Sequence, residues 1–196
     1  VFSPPVNVGI FDAPVSVAHM HRSIGDPSTR PQWDSFCKFG RNVRSFNANC
    51  EQNEILFKPI WPVAGRDQQL ISARRRLPGG ARMYVATSLP PKFQPPKIPG
   101  YVRAKLITAG YYVMPRPGGC GDGVPTPSDA TASDDASEDV GAVMIISMFH
   151  VNLGSVPTSI YWFVSKKFAG VMQSFRRFAI KPLRRGERGE STRIAV

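Results

Sequence analysis

The chain of 196 residues carries 25 Lys and Arg against 14 Asp and Glu, a net charge of +11, and 42% of it is hydrophobic. That suits one domain with a sizeable core rather than two, and no apolar run approaches the roughly 18 residues of a membrane-spanning helix. Six of the acids lie between Gly118 and Asp139, where no basic residue occurs, so the remainder holds 25 basic residues against eight acidic, +17. Such a body attracts polyanions, either nucleic acid or an anionic membrane surface, and composition does not choose between them. Cys37, Cys50 and Cys120 are odd in number and form no CxxC pair, which argues against a disulfide framework and for a reducing, cytoplasmic compartment. The opening on Val1, with no basic-plus-apolar leader behind it, leads us to expect a piece of a longer protein without a secretory signal.

In chain order, Val6 to Phe11 alternates as a half-buried strand. Asp12 then caps a helix running from near Pro14 to Ile24, which Gly25-Asp26-Pro27 stops. Ser28 to Ser35 is a connection containing Trp33. Phe36 to Ile60 reads as two strands with a turn around Asn47 to Asn53. Arg66 to Arg76 and Ala81 to Leu89 form a hairpin joined at Pro78-Gly79-Gly80. Pro90 to Gly100 holds five prolines and is a loop. Tyr101 to Pro115 is one long alternating strand. The Gly, Pro, Ser, Thr and Asp of residues 117–139 cannot bury enough surface to fold and predict a disordered acidic insertion. A strand follows over Val140 to Asn152.

From Thr158, Tyr161, Val164, Phe168, Val171, Phe175 and Phe178 recur at spacings of three and four, one face of a helix that Pro182 ends after Ile180. About 23 residues make it roughly 35 Å long. So large an apolar stripe needs a large apolar partner, and the available one is an antiparallel sheet of long strands. The fold class is therefore α+β, a curved sheet gripping the last helix, over residues 1–180, with residues 181–196 a basic flexible tail.

Five segments in order carry a resemblance: Arg30-Pro31-Gln32-Trp33-Asp34, Trp61-Pro62-Val63-Ala64-Gly65-Arg66-Asp67, Val102-Arg103-Ala104, Gly110-Tyr111-Tyr112-Val113-Met114-Pro115, and Asn152-Leu153-Gly154-Ser155-Val156-Pro157 before the long helix. Together they closely resemble the START family of lipid transfer domains, whose pattern runs R-x-x-W-D, W-P-x-x-x-R-D, V-R-A, G-Y-x-x-x-P and D-L-G-G-x-I-P. The resemblance covers Val6 to about Ile180, and the family's opening helix and first one or two strands are absent or reduced. Gln68-Gln69 stand where the family has an aromatic or aliphatic residue after Arg-Asp. Ser72 stands near a family Arg, for which Arg74 on the same face is the expected substitute. Asn152 and Ser155 replace the acid and second Gly of D-L-G-G.

The resemblance implies a helix-grip fold with an internal cavity that holds one lipid, gated by the last helix. A buried methylene is worth about 0.8 kcal/mol, so acyl chains or a sterol supply ample driving force. Sterol, glycerophospholipid, ceramide and fatty acid all fit. By the resemblance Arg30 matches an Arg presented to a lipid phosphate, and the alternative is that it simply pairs with Asp34. Trp33 is expected as an anchor at the sheet edge. Arg66 and Asp67, adjacent on a strand, point to opposite faces, and Arg66 is expected to cross-link a loop. Arg103 and His150 are candidate cavity polars. Phe168, Met172 and Phe175 are the expected lid contacts with lipid.

The expected partners are thus a phospholipid or sterol and an anionic membrane, touched transiently by a monomer through Lys166, Lys167, Arg176, Arg177, Arg184 and Arg185. No metal and no cofactor are expected: His19 and His21 lack ligands at zinc spacing, and the Gly-rich 118–123 stretch lacks the Lys-Ser/Thr of a phosphate loop. Two alternatives stay open. One is a cavity enzyme of the helix-grip superfamily, with Cys37 and His19 or His150 as an unsupported dyad. The other is a nucleic-acid-binding domain, against which stands the expectation that the Phe and Tyr residues face the core rather than interleave with basic residues on a strand.

Overall fold

In the computed structural model, which describes residues 4–61, 63–116, 141–154 and 156–181, eight strands and two α-helices are arranged around one curved sheet. The strands are β1 (Val6–Ala13), β2 (Cys37–Asn47), β3 (Cys50–Phe57), β4 (Gly65–Arg76), β5 (Arg82–Ser88), β6 (Tyr101–Arg103), β7 (Lys105–Pro115) and β8 (Val143–Asn152). The helices are α1 (Val17–Gly25) and α2 (Thr158–Ile180). The antiparallel order is β1-β8-β7-β5-β4-β3-β2, and the short β6 pairs in parallel with β4.

Several boundaries differ from the sequence expectation for identifiable reasons. Ser16, not Asp12, caps α1: its hydroxyl accepts the His19 N–H at 3.1 Å, while Asp12 remains in β1 and meets Arg116 at 2.9 Å. The β2–β3 turn is only Ala48-Asn49, so Cys50 to Asn53 belong to β3. Tyr101 to Pro115 is two strands. β5 pairs β4 over Leu70 to Arg76 and leaves Gly65 to Asp67 open, so Tyr101–Arg103 fill that edge before the chain crosses at Ala104 to join β5 and β8. The hairpin at Pro78-Gly79-Gly80 forms as expected, with Gly79 and Gly80 at φ of 70° and 74°, where a side chain would be strained. The 117–139 insertion and the tail from Pro182, with Arg184 and Arg185, lie outside the described residues.

The inner face of the sheet follows strand alternation. Ala109, Tyr111 and Val113 of β7 and Val143, Ile145 and Ser147 of β8 are buried. A register shift between Leu106 and Thr108 brings Leu106 to the same side as Ala109, three residues on. α2 crosses this face over β1. A Cβ at Gly9 would sit 2.9 Å from the Ser147 hydroxyl and 3.4 Å from the Phe168 ring, so glycine there permits the close approach.

Two apolar clusters result. One joins α1, Trp33, Tyr111, Val113, Ile145, Met172 and Phe175; the other joins Cys37, Ile55, Leu70, Ala86, Leu106 and Ala109 beneath the opposite end of the sheet.

Candidate functional site

Between the sheet and α2 lies a partly open cavity of about 190 Å³. Its walls are mostly apolar. β3, β4 and β5 contribute Ile55, Phe57, Leu70 and Ala86; β7 and β8 contribute Leu106, Ala109, Tyr111, Phe149 and Val151; α2 contributes Ile160, Val164, Phe168, Val171 and Met172. The polar groups are few: Asn7 from β1, Asp26, Arg30 and Asp34 from the segment after α1, Arg66 and Gln68 from β4, Tyr84 and Tyr111, with Lys58 at the margin. An apolar wall with a few placed polar groups suits a ligand that is largely hydrocarbon with one polar end.

Arg30 and Asp34 form an ion pair at 3.1 Å, and Asp34 also accepts the Phe36 N–H. The Arg30 guanidinium lies 5.3 Å from the centres of both the Trp33 and Phe57 rings. Burial works most strongly against its charge, but Asp34 and smaller contributions from Tyr111 and Cys37 together offset this, and the pKa is raised. Trp33 packs on Phe175 with ring centres 4.7 Å apart, and its buried Nε1 has no acceptor among the described residues. Burial also raises the Tyr84 and Tyr111 hydroxyls well above the ordinary tyrosine value, so both remain neutral donors.

Arg66 behaves differently. Its side chain donates from Nε to the Leu153 carbonyl at 2.9 Å and from Nη1 to the Ala64 carbonyl, tying β4 to the segment that leads into α2. No carboxylate pairs with it among the described residues, and burial lowers its pKa.

Of the sequence-derived candidates, Arg30, Trp33, Asp34, Arg66, Phe168 and Met172 come together on the cavity wall. The others are not on it. Asp67 points to the other face, as strand alternation requires, and meets Arg103 at 2.6 Å; Arg103 also donates to Gln94 Oε1 at 2.8 Å and so holds the proline-rich loop. Arg74 pairs with Glu51 at 2.7 Å and donates to the Gly25 carbonyl, fastening α1. His150, on β8 opposite Val6, keeps a buried Nε2 without a hydrogen-bond partner among the described residues. Phe175 is fully buried at the end of the cavity, in contact with Trp33, Tyr111 and Phe11.

Gln68, Tyr84, Tyr111 and Phe149 were not singled out from the sequence as wall residues. The signal was present for Gln68, which is two residues from Arg66 and therefore on its face. Cys37 donates to the Phe39 carbonyl at 3.4 Å, and burial raises its thiol pKa, the reverse of an activated nucleophile.

Two surfaces depart from expectation. Trp61 (92% exposed), Trp162 and Phe163 are exposed neighbours in sequence of the wall residues Ile60, Ile160 and Val164, and the Lys167 ammonium lies 5.6 Å from the centre of the Phe163 ring. On the edge strand β2, Phe39 and Phe46 are exposed with the Arg41 and Arg44 guanidiniums 5.8 and 5.1 Å from their ring centres. The expectation that the aromatic residues face the core holds for Tyr111 of β7 and fails for β2.

The profile of the START domain family matches residues 11–178. Among curated proteins, no sequence matches the chain. Among solved structures, the human StarD13 (DLC2) lipid transfer and protein localization domain is similar at a TM-score of 0.66 with 15% identity, over 92% of this chain and 79% of that one. Human STARD10 is similar at 0.65 with 18% identity, over 90% and 63%. Human StAR-related lipid transfer protein 5 is similar at 0.64 with 17% identity, over 87% and 75%. At these identities the likeness is one of fold: an open antiparallel sheet gripping a C-terminal helix.

Proposed function

The chain belongs to the START domain family, and on that premise we propose that it binds one lipid in the cavity under α2 and carries it between membranes without altering it. The observation that carries this reading is the cavity itself, apolar over most of its wall and roofed by the Phe168 face of a single helix. At about 190 Å³ it is smaller than the roughly 300–1,000 Å³ of ordinary ligand pockets, so a lipid enters by displacing α2.

The rim favours an anionic bilayer as the place where this happens. Trp61, Trp162 and Phe163 offer amphipathic rings of the kind that settle at a membrane interface, and each basic residue near an anionic surface adds about 1 kcal/mol. Lys166 and Lys167 are exposed on the same helix as Trp162 and Phe163, with Lys167 5.6 Å from the Phe163 ring centre, whereas Arg176 donates to the Asp12 carbonyl at 2.6 Å. The docking end of α2 is therefore its N-terminal half. No described helix is long and apolar enough to cross a membrane, so the contact is peripheral so far as helices are concerned.

Labelled phospholipid or sterol should move between liposomes in the presence of the protein and be recovered unchanged, faster with acidic lipid and slower with salt. A chemically converted product would point to a cavity enzyme. The nucleic-acid reading rests on the Phe39, Arg41, Arg44 and Phe46 surface of β2; tight RNA binding with no lipid uptake would favour it instead.

A further inference from the structure

We infer that the lipid held in this cavity presents an anionic oxygen group, a carboxylate or a phosphate, to Arg66; the assignment rests on the lipid-binding reading above. Among the described residues three cationic side chains touch the cavity, and one of them is both buried and without a carboxylate partner there. Arg30 is matched by Asp34 at 3.1 Å. Lys58 is exposed and donates to the Ser35 carbonyl at 3.0 Å. Arg66 is 7% exposed and, among the described residues, donates to the Leu153 and Ala64 carbonyls and meets no carboxylate. Those carbonyls satisfy N–H groups but carry no charge.

The neighbouring acid cannot help. Asp67 lies on the opposite face of β4, and its Oδ2 is taken by Arg103 through Nε at 2.7 Å and Nη2 at 2.6 Å. Gln68 also faces away from Asp67. It lines the cavity two positions along from Arg66 and is 6% exposed, so it places a neutral amide beside the guanidinium. A buried cation without a counter-ion is costly, and an anion brought in by the ligand offsets that cost with charge-assisted hydrogen bonds. A guanidinium suits this task because its planar fork meets two oxygens of a carboxylate or phosphate at once. A sterol hydroxyl supplies no such compensation.

The test compares three probes with the same C18 chain: oleate, oleyl phosphate and oleyl alcohol. Their affinities are read by displacement of a fluorescent lipid from the full chain. At least one anion should bind about tenfold or more tightly than the alcohol, and the order of oleate and oleyl phosphate identifies the head group. Arg66→Gln should bring the preferred anion down to the level of the alcohol while the alcohol itself changes by less than about twofold; Arg66→Lys should keep part of the preference. Because Arg66 also holds Leu153, a variant that fails to fold is replaced by Gln68→Glu. That change sets a carboxylate beside Arg66 and should abolish the same preference.

Equal affinity for all three probes in the unchanged protein would overturn the Arg66 assignment and leave lipid binding standing. A preference that survives Arg66→Gln or Gln68→Glu but disappears in Arg30→Gln would transfer the role to Arg30 and overturn it too. Failure of every probe to bind would overturn both readings.

Discussion

The two halves of α2 carry the same apolar stripe and use it differently. Toward the C-terminus, Phe175 is fully buried among Trp33, Tyr111 and Phe11, and the His19 ring lies 2.8 Å from the Ala179 carbonyl, so α1 and α2 are held side by side. Toward the N-terminus, Phe168 meets Phe149 with ring centres 5.1 Å apart and otherwise faces the cavity with Val164 and Ile160. That half is fastened by polar contacts: the Tyr161 hydroxyl accepts the Leu153 N–H at 3.0 Å and donates to Asn152 Oδ1 at 3.2 Å. Hydrogen bonds at a helix end exchange with water at small net cost, whereas an aromatic cluster must open a cavity to come apart. One half of the helix is packed for stability, and the other is the half that the proposed lipid entry would displace.

The sharpest way to break this comparison is to shorten both phenylalanines. Phe175→Ala should lower stability by about 3–5 kcal/mol, the range for a fully packed aromatic. Phe168→Ala should cost only about 1–2 kcal/mol, since part of that ring already faces empty space. Equal losses in urea unfolding would mean that the two ends are packed alike.

Tyr161→Phe sharpens the comparison from the polar side. It should cost about 1 kcal/mol and speed amide exchange in the first turns of α2 and lipid uptake together, with the exchange of the Phe175 region unchanged. Acceleration along the whole helix would show that α2 moves as one rod.

The smallest effect concerns pH at the packed end. His21, in α1, has its pKa lowered from 6.5 by burial, with Arg82, Arg74 and Arg76 adding to the effect and the Met83 carbonyl opposing it. The folded state thus binds fewer protons than the unfolded one below about pH 6.5, and stability falls as pH drops through that value, until the folded-state pKa is passed. Each pKa unit is worth about 1.4 kcal/mol. His21→Gln should flatten the slope of stability against pH in that window; an unchanged slope would assign it to other groups.

Much of the fold was legible from short-range pattern. The spacing of Tyr161 to Phe178 located α2 to its last residue, because a helix facing a sheet needs a stripe at a period of 3.6. Pro78-Gly79-Gly80 marked its hairpin because the turn demands positive φ. The break at Ala104 was not legible: Tyr101 to Pro115 alternates throughout, and what divides it is the open edge that β5 leaves on β4.

The site divides along the same line. The ordered motifs brought Arg30, Trp33, Asp34 and Arg66 to attention, and alternation alone placed Arg66 and Asp67 on opposite faces. Nothing in the spacing distinguished the two arginines, since each stands near an acid in sequence, Arg30 four residues before Asp34 and Arg66 one before Asp67. Only the tertiary structure decides that Asp34 folds back onto Arg30 while Asp67 turns away to Arg103. The sequence by itself determined which positions of β7, β8 and α2 face the interior, because that depends on local periodicity. Whether Asp67 is free for Arg66 depends on Arg103, 36 residues away, meeting it across the sheet, and no local rule carries that information.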